Sequence, residues 1–135
     1  MARYRILIVD DEPAILSLLE AAFESRPWLV DTESSPTKAF ALHRKQRYDL
    51  ILTDKNMPVL DGIELARRIR RTDSRVRIVI MTGFGSLDSA MQSGNLSVDA
   101  YIEKPFDDVY AVADVVESAL QGKEPAPATR RYAVS

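Results

Sequence analysis

The chain has 135 residues, which is enough for one domain and leaves little for a second. It contains no cysteine, which excludes disulfides and thiolate metal sites, and its net charge of -2 provides no overall attraction to nucleic acid or an anionic membrane. No stretch approaches the roughly 20 apolar residues of a membrane span, and the N-terminal apolar run is too short for a signal peptide, so we expect a cytoplasmic protein.

The first part of the chain alternates apolar runs with amphipathic ones. Residues 4–9 form an unbroken apolar run, which is typical of a strand in a parallel sheet covered on both faces. Apolar residues at helical spacing, beginning at a proline, predict a helix over 13–25. Residues 28–33 predict a weaker strand and residues 36–46 a second helix. A third buried strand, 49–53, follows.

The second part continues the alternation. Residues 63–69 mark a helix with arginines on its outer face, and residues 76–81 form another strand of the buried type. The helix predicted near 87–96 is a poor one because it contains glycine and asparagine. A short fifth strand at 100–102 and a last helix at 109–120 complete the pattern.

Five strands that alternate with five helices predict an α/β fold, a single doubly wound five-stranded parallel sheet with helices on both faces. We assign residues 1–121 to this domain and residues 122–135, which are rich in proline and alanine, to a flexible C-terminal tail or the start of a linker. In such folds, functional sites lie beyond the C-terminal ends of the strands.

Polar side chains stand at four of these strand ends. The first strand ends in Asp10 and Asp11, the third in Asp54, the fourth in Thr82 and the fifth in Lys104. Clustered carboxylates repel one another and need a cation, and oxygen ligands without histidine or cysteine favour Mg²⁺. Asp54 could then attack phosphorus to give an acyl phosphate, with Lys104 and Thr82 contacting phosphoryl oxygens.

Four sequence blocks around these positions occur together and in order. They are Asp10-Asp11-Glu12, Asp54 to Pro58 with Asp61-Gly62, Thr82-Gly83, and Lys104-Pro105-Phe106. The combination resembles the receiver domain of two-component response regulators, the CheY-like family, from about residue 4 to residue 121. The resemblance implies the flavodoxin-like strand order 2-1-3-4-5.

The resemblance also implies roles at the metal and phosphoryl site. Asp54 would accept a phosphoryl group from the phosphohistidine of a partner kinase. Asp11 would bind Mg²⁺ directly and Asp10 mostly through water, while Asn56 would provide its backbone carbonyl. Asp54 would complete the metal site.

Further roles implied by the resemblance concern the response to phosphorylation. Thr82 and Tyr101 would form a switch pair, in which Thr82 moves toward the phosphoryl group and Tyr101 turns inward. The Lys104-Pro105 bond would be cis. The readout face would combine the helix near 87–96, the fifth strand and the last helix. Asn56 and Phe84 lie where the family tunes the lifetime of the phosphorylated state.

As a receiver, the chain would have a sensor histidine kinase or phosphotransfer protein upstream and a protein partner or output domain downstream. We expect no direct contact with nucleic acid or membrane, and a phosphorylation-linked homodimer is a further option. We do not expect an enzyme, because the chain would promote only its own phosphorylation and dephosphorylation.

Two other functions remain open. One is an unphosphorylated pseudo-receiver that serves as an interaction module, although such proteins usually lack one of the residues present here. The other is a phosphatase with an aspartyl nucleophile, although that class resembles an Asp-x-Asp strand with a lid domain. Simpler roles are helix capping for Asp10 and Asp11, a turn for Asp54, and solvated side chains for Lys104 and His43.

The arginines at positions 67, 68, 70 and 71 fit a solvated helix face, with a docking patch for an acidic partner as the alternative.

Overall fold

The computed structural model describes residues 3–83, 96–122 and 131–133. We number the elements in chain order as β1 Arg5–Val9, α1 Pro13–Phe23, β2 Leu29–Glu33, α2 Pro36–Gln46, β3 Leu50–Asp54, α3 Gly62–Thr72, β4 Arg77–Thr82, β5 Ala100–Glu103, α4 Val109–Leu120 and β6 Arg131–Ala133. The helix predicted near 87–96, together with Phe84, lies outside the described residues.

The strands form one sheet in the order β2-β1-β3-β4-β5-β6. The first five pair in parallel, which confirms the expected order 2-1-3-4-5. The sixth strand was not foreseen. It pairs antiparallel with β5, whose outer edge would otherwise leave backbone groups open to another strand.

Successive residues of the strands face two separate cores. Ile6 and Ile8 of β1 belong to the layer under α1 and α4, whereas Leu7 and Val9 belong to the layer under α2 and α3. All four side chains are inaccessible to solvent. This explains why β1 has no alternation in its sequence, because both of its faces are covered.

Side-chain caps fix the starts of three helices. The hydroxyl of Ser35 accepts a hydrogen bond from the backbone N–H of Lys38 at 3.4 Å, and the carboxylate of Asp108 accepts one from the N–H of Tyr110 at 2.9 Å. Asp61 caps α3 in the same way, because its carboxylate accepts from a backbone N–H three residues on. Each cap gives a partner to a backbone N–H that the first turn of a helix leaves without one.

Across the three described ranges, no helix is long and apolar enough to cross a membrane.

His43 is not the solvated residue that its basic neighbours suggested. Its ring is 1% exposed and lies between α2 and the end of α3. The backbone N–H of Tyr48 donates to Nδ1 at 3.0 Å, so the neutral ring carries its proton on Nε2 and donates it to the carboxylate of Asp73 at 2.9 Å. Burial lowers the pKa of His43, although the hydrogen bond to Asp73 opposes this.

Arg70 also differs from expectation, since it does not belong to a solvated face. Its guanidinium donates to the carbonyls of Ser97 and Val76 and pairs with Asp99 at 3.4 Å. The same carboxylate accepts from the N–H of Ile78 at 2.7 Å. Arg70 therefore ties α3 to the segments that precede β4 and β5.

The buried neutral His43 makes stability depend on pH. Because its pKa is lowered from 6.5 in the folded state, the unfolded chain binds the proton more readily. The free energy of unfolding should therefore fall as the pH drops through 6.5, with a slope that cannot exceed about 1.4 kcal/mol per pH unit for one proton. Urea unfolding between about pH 5 and 7.5 measures this slope.

The matched variants are His43→Gln, which removes the titrating ring, and Lys45→Gln, which changes an exposed neighbour. We expect a flatter profile for His43→Gln and an unchanged profile for Lys45→Gln. Equal slopes for wild type and His43→Gln would contradict the assignment.

Candidate functional site

One ammonium group joins two of the strand ends. Lys104, which follows β5, places Nζ 2.7 Å from Oδ2 of Asp10 and 3.2 Å from Oδ1 of Asp54. Asp10 follows β1, and Asp54 is the last residue of β3. Three separate segments of the sequence thus meet at one edge of the sheet.

Burial shapes the electrostatics of this group. Asp10 is inaccessible to solvent and Asp54 is 5% exposed. Burial raises the pKa of Asp54, the positive charge of Lys104 counteracts it, and the negative charge of Asp10 adds to the rise. Burial alone would lower the pKa of Lys104, but its bond to Asp10 and the charge of Asp54 leave it raised, so the ammonium stays protonated.

The carboxylates are arranged so that they could hold a cation. Asp10, Asp11 and Asp54 can each offer one oxygen, and these oxygens lie within 4.8 Å of one another. Asp11 is exposed at the mouth of the site. Three negative charges face a single ammonium, and a set of oxygen donors suits a hard divalent ion. The predicted ligand Asn56 lies two residues beyond Asp54 in the loop after β3, and its side chain is exposed.

Thr82 lies at the end of β4, and its side-chain hydroxyl is free to make a hydrogen bond. The residue is inaccessible to solvent, and its Oγ1 has no hydrogen-bond partner within the part of the chain that the structure describes. Its backbone carbonyl accepts from the N–H of Lys104 at 2.7 Å, which joins the ends of β4 and β5. A buried hydroxyl without a partner can donate a hydrogen bond to an oxygen atom that enters the site.

Tyr101 belongs to β5, and its side chain lies on the face of the sheet that α2 and α3 cover. Its side chain is 2% exposed and packs in the layer under α2 and α3. The ring is therefore already inward in this conformation. The Lys104-Pro105 peptide bond is cis, as expected.

Gly62 has a role in the site that sequence reasoning overlooked. Its N–H donates to the carbonyl of Lys55 at 2.8 Å, and the N–H of Lys55 donates to the carbonyl of Met81 at 2.7 Å. A Cβ on Gly62 would stand 2.1 Å from the carbonyl oxygen of Asp54. The sequence analysis placed Gly62 in one of the family-like blocks but gave it no role, because a side chain is normally tolerated at the first position of a helix.

Val59 is held in an unusual backbone conformation in the same loop. Its φ is 73°, in the left-handed region that β-branched residues avoid, and its side chain is 95% exposed. The neighbouring side chains of Met57 and Leu60 are buried and anchor the loop on both sides. The N–H of Leu60 also donates to the carbonyl of Pro58 at 2.8 Å, so this hydrogen bond and the buried neighbours together hold Val59 at its backbone angle.

An apolar cleft of about 450 Å³ opens beside Lys104. It lies between α1 and the start of α4. The other residues that line it are Ile15, Leu18, Pro105, Phe106 and Val109. Leu18 is 45% exposed, so this cleft offers apolar surface next to the carboxylates.

A family model described as the response regulator receiver domain matches residues 6–116. The match covers most of the chain, and the parallel sheet with its acidic rim agrees with it. The chain therefore belongs to the response-regulator receiver domains of two-component systems.

Individual relatives agree with this assignment. The chain is 34% identical over 120 residues to sporulation initiation phosphotransferase F of Bacillus subtilis, covering 89% of this chain and 96% of that protein. It is 37% identical over 102 residues to the transcriptional regulatory protein ResD of the same organism, covering 76% of this chain and 42% of the regulator. A receiver domain protein from Clostridium thermocellum has a similar structure, with a TM-score of 0.80, 27% identity, and coverage of 88% of this chain and 95% of that one.

Gly62→Ala should distort the site and destabilise the fold, because its methyl group would overlap the backbone of Asp54. Forced overpacking of this kind typically costs about 1–3 kcal/mol. Gly83→Ala is the matched control, since a Cβ there meets no atom of the described residues within 4 Å. Urea unfolding of both variants tests the prediction, and equal losses in the two would contradict it.

Val59→Gly should stabilise the chain by about 1 kcal/mol, because glycine accepts the left-handed angle without steric cost. The exposed valine gives up no packing when it is replaced. Val59→Ala, which keeps a Cβ, should gain little. Thermal unfolding of the three proteins provides the measurement, and a loss of stability in Val59→Gly would show that the loop is not strained.

Proposed function

We propose that this receiver is a phosphoacceptor switch in which Asp54 takes a phosphoryl group from the phosphohistidine of a partner. The observation that carries the proposal is the joint contact of one ammonium, that of Lys104, with the buried carboxylates of Asp10 and Asp54. An acceptor needs an ionised oxygen nucleophile, and it also needs positive charge for the phosphoryl oxygens. This corner of the sheet brings both together.

The transfer step involves one bond formed and one bond broken. An oxygen of the Asp54 carboxylate attacks phosphorus, and the bond from phosphorus to the imidazole nitrogen of the donor breaks. The electron pair of that bond returns to the imidazole nitrogen, and the product is an acyl phosphate on Asp54. Lys104 offsets negative charge on the phosphoryl oxygens, and the hydroxyl of Thr82 donates a hydrogen bond to one of them.

The donor set fits Mg²⁺. The carboxylates of Asp10, Asp11 and Asp54, with the backbone carbonyl of Asn56, would hold the ion. When bound, Mg²⁺ would neutralise the negative charge that gathers as a phosphoryl group approaches three carboxylates. Because Asp11 is the exposed member of the set, it lies where an ion arriving from solvent would first meet a ligand.

In the phosphorylated state, the hydroxyl of Thr82, which has no partner among the described residues, gains an acceptor, and the end of β4 moves with it. Tyr101 packs one strand away and would follow, which couples the site to a partner-binding face. On this proposal, the chain is not a turnover enzyme and promotes only its own phosphorylation and dephosphorylation. A sensor histidine kinase or phosphotransfer protein acts upstream, and a protein partner or output domain acts downstream.

The cleft lined by Ile15, Leu18 and Phe106 suits docking of the phosphodonor, because it places apolar contact area beside Lys104. A helix that presents apolar side chains would fill it. The pseudo-receiver alternative is less well supported, because the acidic residues, Thr82 and Lys104 all occupy the positions that phosphorylation needs.

Incubation with Mg²⁺ and a small phosphoramidate should add the mass of one phosphoryl group, measured by intact-protein mass spectrometry. Asp54→Asn should abolish the addition. Lys104→Met should slow it by about tenfold or more, since a charge-assisted contact to the phosphoryl group is lost.

Asp107→Asn is the control, because it changes an exposed carboxylate at the start of α4. It should react like the wild type. A wild-type chain that stays unmodified with several donors, or an Asp54→Asn variant that is modified equally, would overturn the proposed function.

A further inference from the structure

The two helical layers of the fold carry opposite charge. The layer with α2 and α3, residues 36–47 and 62–77, holds ten of the 18 basic residues of the chain and two of its 20 acidic residues. The layer with α1 and α4, residues 11–26 and 105–122, holds eight acidic residues and one basic residue, Arg26. A net charge near zero therefore hides a strongly dipolar molecule.

The two helices of the basic layer meet at Asp73, which contacts side chains at the end of α2. Asp73 bonds His43 at 2.9 Å and Arg47 at 3.3 Å, so the C-terminal ends of α2 and α3 lie side by side. We call the exposed cations around this junction the basic face. Its members are Arg44, Lys45, Arg71 and Arg75.

The cations of the basic face differ from their neighbours in pairing. Arg68 pairs with Glu64, and Arg70 and Arg77 pair with Asp99. By contrast, none of the four members of the basic face has a carboxylate within 4.0 Å among residues 3–83, 96–122 and 131–133. Arg44, Lys45 and Arg71 lie in the last turns of their helices, where positive charge stabilises the helix dipole, whereas Arg75 lies beyond the end of α3.

The opposite layer offers a complementary surface. We call five of its exposed carboxylates the acidic face; they are Glu20, Glu24, Asp107, Asp108 and Asp114. Asp11 and Glu12 are also exposed, but they directly follow Asp10 of the candidate metal site and are not included. Arg26 neutralises part of it through its pair with Asp114 at 2.5 Å. The exposed side chains of Leu18 and Tyr110 lie on the same layer and add apolar surface that arginine can cover.

We propose that the basic face of one copy of this chain docks on the acidic face of a second copy. Because the two faces lie on opposite sides of the sheet, the contact is head-to-tail, and it leaves one face of each kind open at the ends of the assembly. Arginine is well suited to this contact because its planar fork binds carboxylates through two hydrogen bonds. The contact does not involve the acceptor Asp54 and needs no phosphorylation.

The acidic face is the partner that the observations favour. Among the described residues, the basic face carries none of the exposed large apolar side chains, so charge must supply most of its attraction. The acidic face offers five carboxylates, one of which already pairs with Arg26, to the four cations, and it is present at the same concentration because it belongs to the same chain. Such an association weakens as salt is added, because salt screens exposed charges. The Debye length falls from about 14 Å at 50 mM salt to about 6 Å at 300 mM.

Sedimentation equilibrium of the full chain at two salt concentrations tests the proposal. In about 50 mM salt, the mean mass should rise with protein concentration toward about 0.5 mM, and it should stay close to the monomer in about 300 mM salt. Two charge-reversed proteins provide the decisive comparison. One carries Lys45→Glu and Arg71→Glu on the basic face, and the other carries Glu20→Lys and Glu24→Lys on the acidic face.

Each reversed protein alone should associate at least tenfold more weakly than wild type, because its altered face no longer attracts the opposite face. The four positive charges of the basic face fall to a net charge of zero in one variant, and the five negative charges of the acidic face fall to a net charge of -1 in the other. An equimolar mixture of the two should form a heterodimer, because the unchanged acidic face of one variant can bind the unchanged basic face of the other. The heterodimer should grow no further, since the altered faces no longer attract each other. Circular dichroism of each variant checks that the fold is retained.

A wild-type chain that remains monomeric in low salt would overturn the proposal. Reversed proteins that associate as strongly as wild type, or a mixture that stays monomeric, would also overturn it. Binding of a DNA duplex by a monomeric wild-type chain would assign the basic face to a polyanion instead.

Discussion

The site depends on one ammonium group placed between two buried carboxylates. Asp10 and Asp54 are both nearly inaccessible to solvent, and an isolated pair of buried charges of the same sign would be costly. Lys104 contacts both, at 2.7 Å and 3.2 Å, and so allows them to remain ionised side by side. Removal of one member of such a group leaves the others uncompensated, which costs more than the group as a whole contributes.

The fold explains how this contact arises from distant parts of the chain. Asp10 and Lys104 are 94 residues apart in sequence, yet parallel strands bring their C-terminal ends to one edge of the sheet. Backbone bonds then fix the details, as in the 2.7 Å bond from the N–H of Lys104 to the carbonyl of Thr82. Gly62 completes the arrangement, because α3 can begin against the backbone of Asp54 only where no side chain intervenes.

Much of this could be predicted from the sequence. Unbroken apolar runs located β1, β3 and β4, whereas β2 and β5 gave weaker or shorter signals. The residues at the ends of the strands included Asp10, Asp54, Thr82 and Lys104. The strand order came from the family resemblance, because apolar pattern does not say which strands are neighbours. The sixth strand could not be foreseen, since the residues that precede it have the composition of a linker.

The structural roles that could not be predicted depend on contacts that the linear sequence does not reveal. His43 has basic neighbours and resembles a surface residue until Asp73, 30 positions away, is placed against it. Arg70 was grouped with exposed arginines, yet its partner Asp99 belongs to a segment that pattern analysis had not connected with α3. The strain at Val59 is likewise invisible in sequence, because the burial of its neighbours imposes it.

The central claim is that Lys104 keeps Asp54 ionised beside Asp10, and carboxyl carbon NMR titration tests it directly. In the wild type, the pKa of Asp54 should lie above its ordinary value of 3.8, because burial outweighs the pull of Lys104. In Lys104→Met, the pKa of Asp54 should rise further, since burial and the negative charges of Asp10 and Asp11 are then unopposed by the ammonium. An Asp54 pKa that is unchanged or lower in the variant would contradict the account.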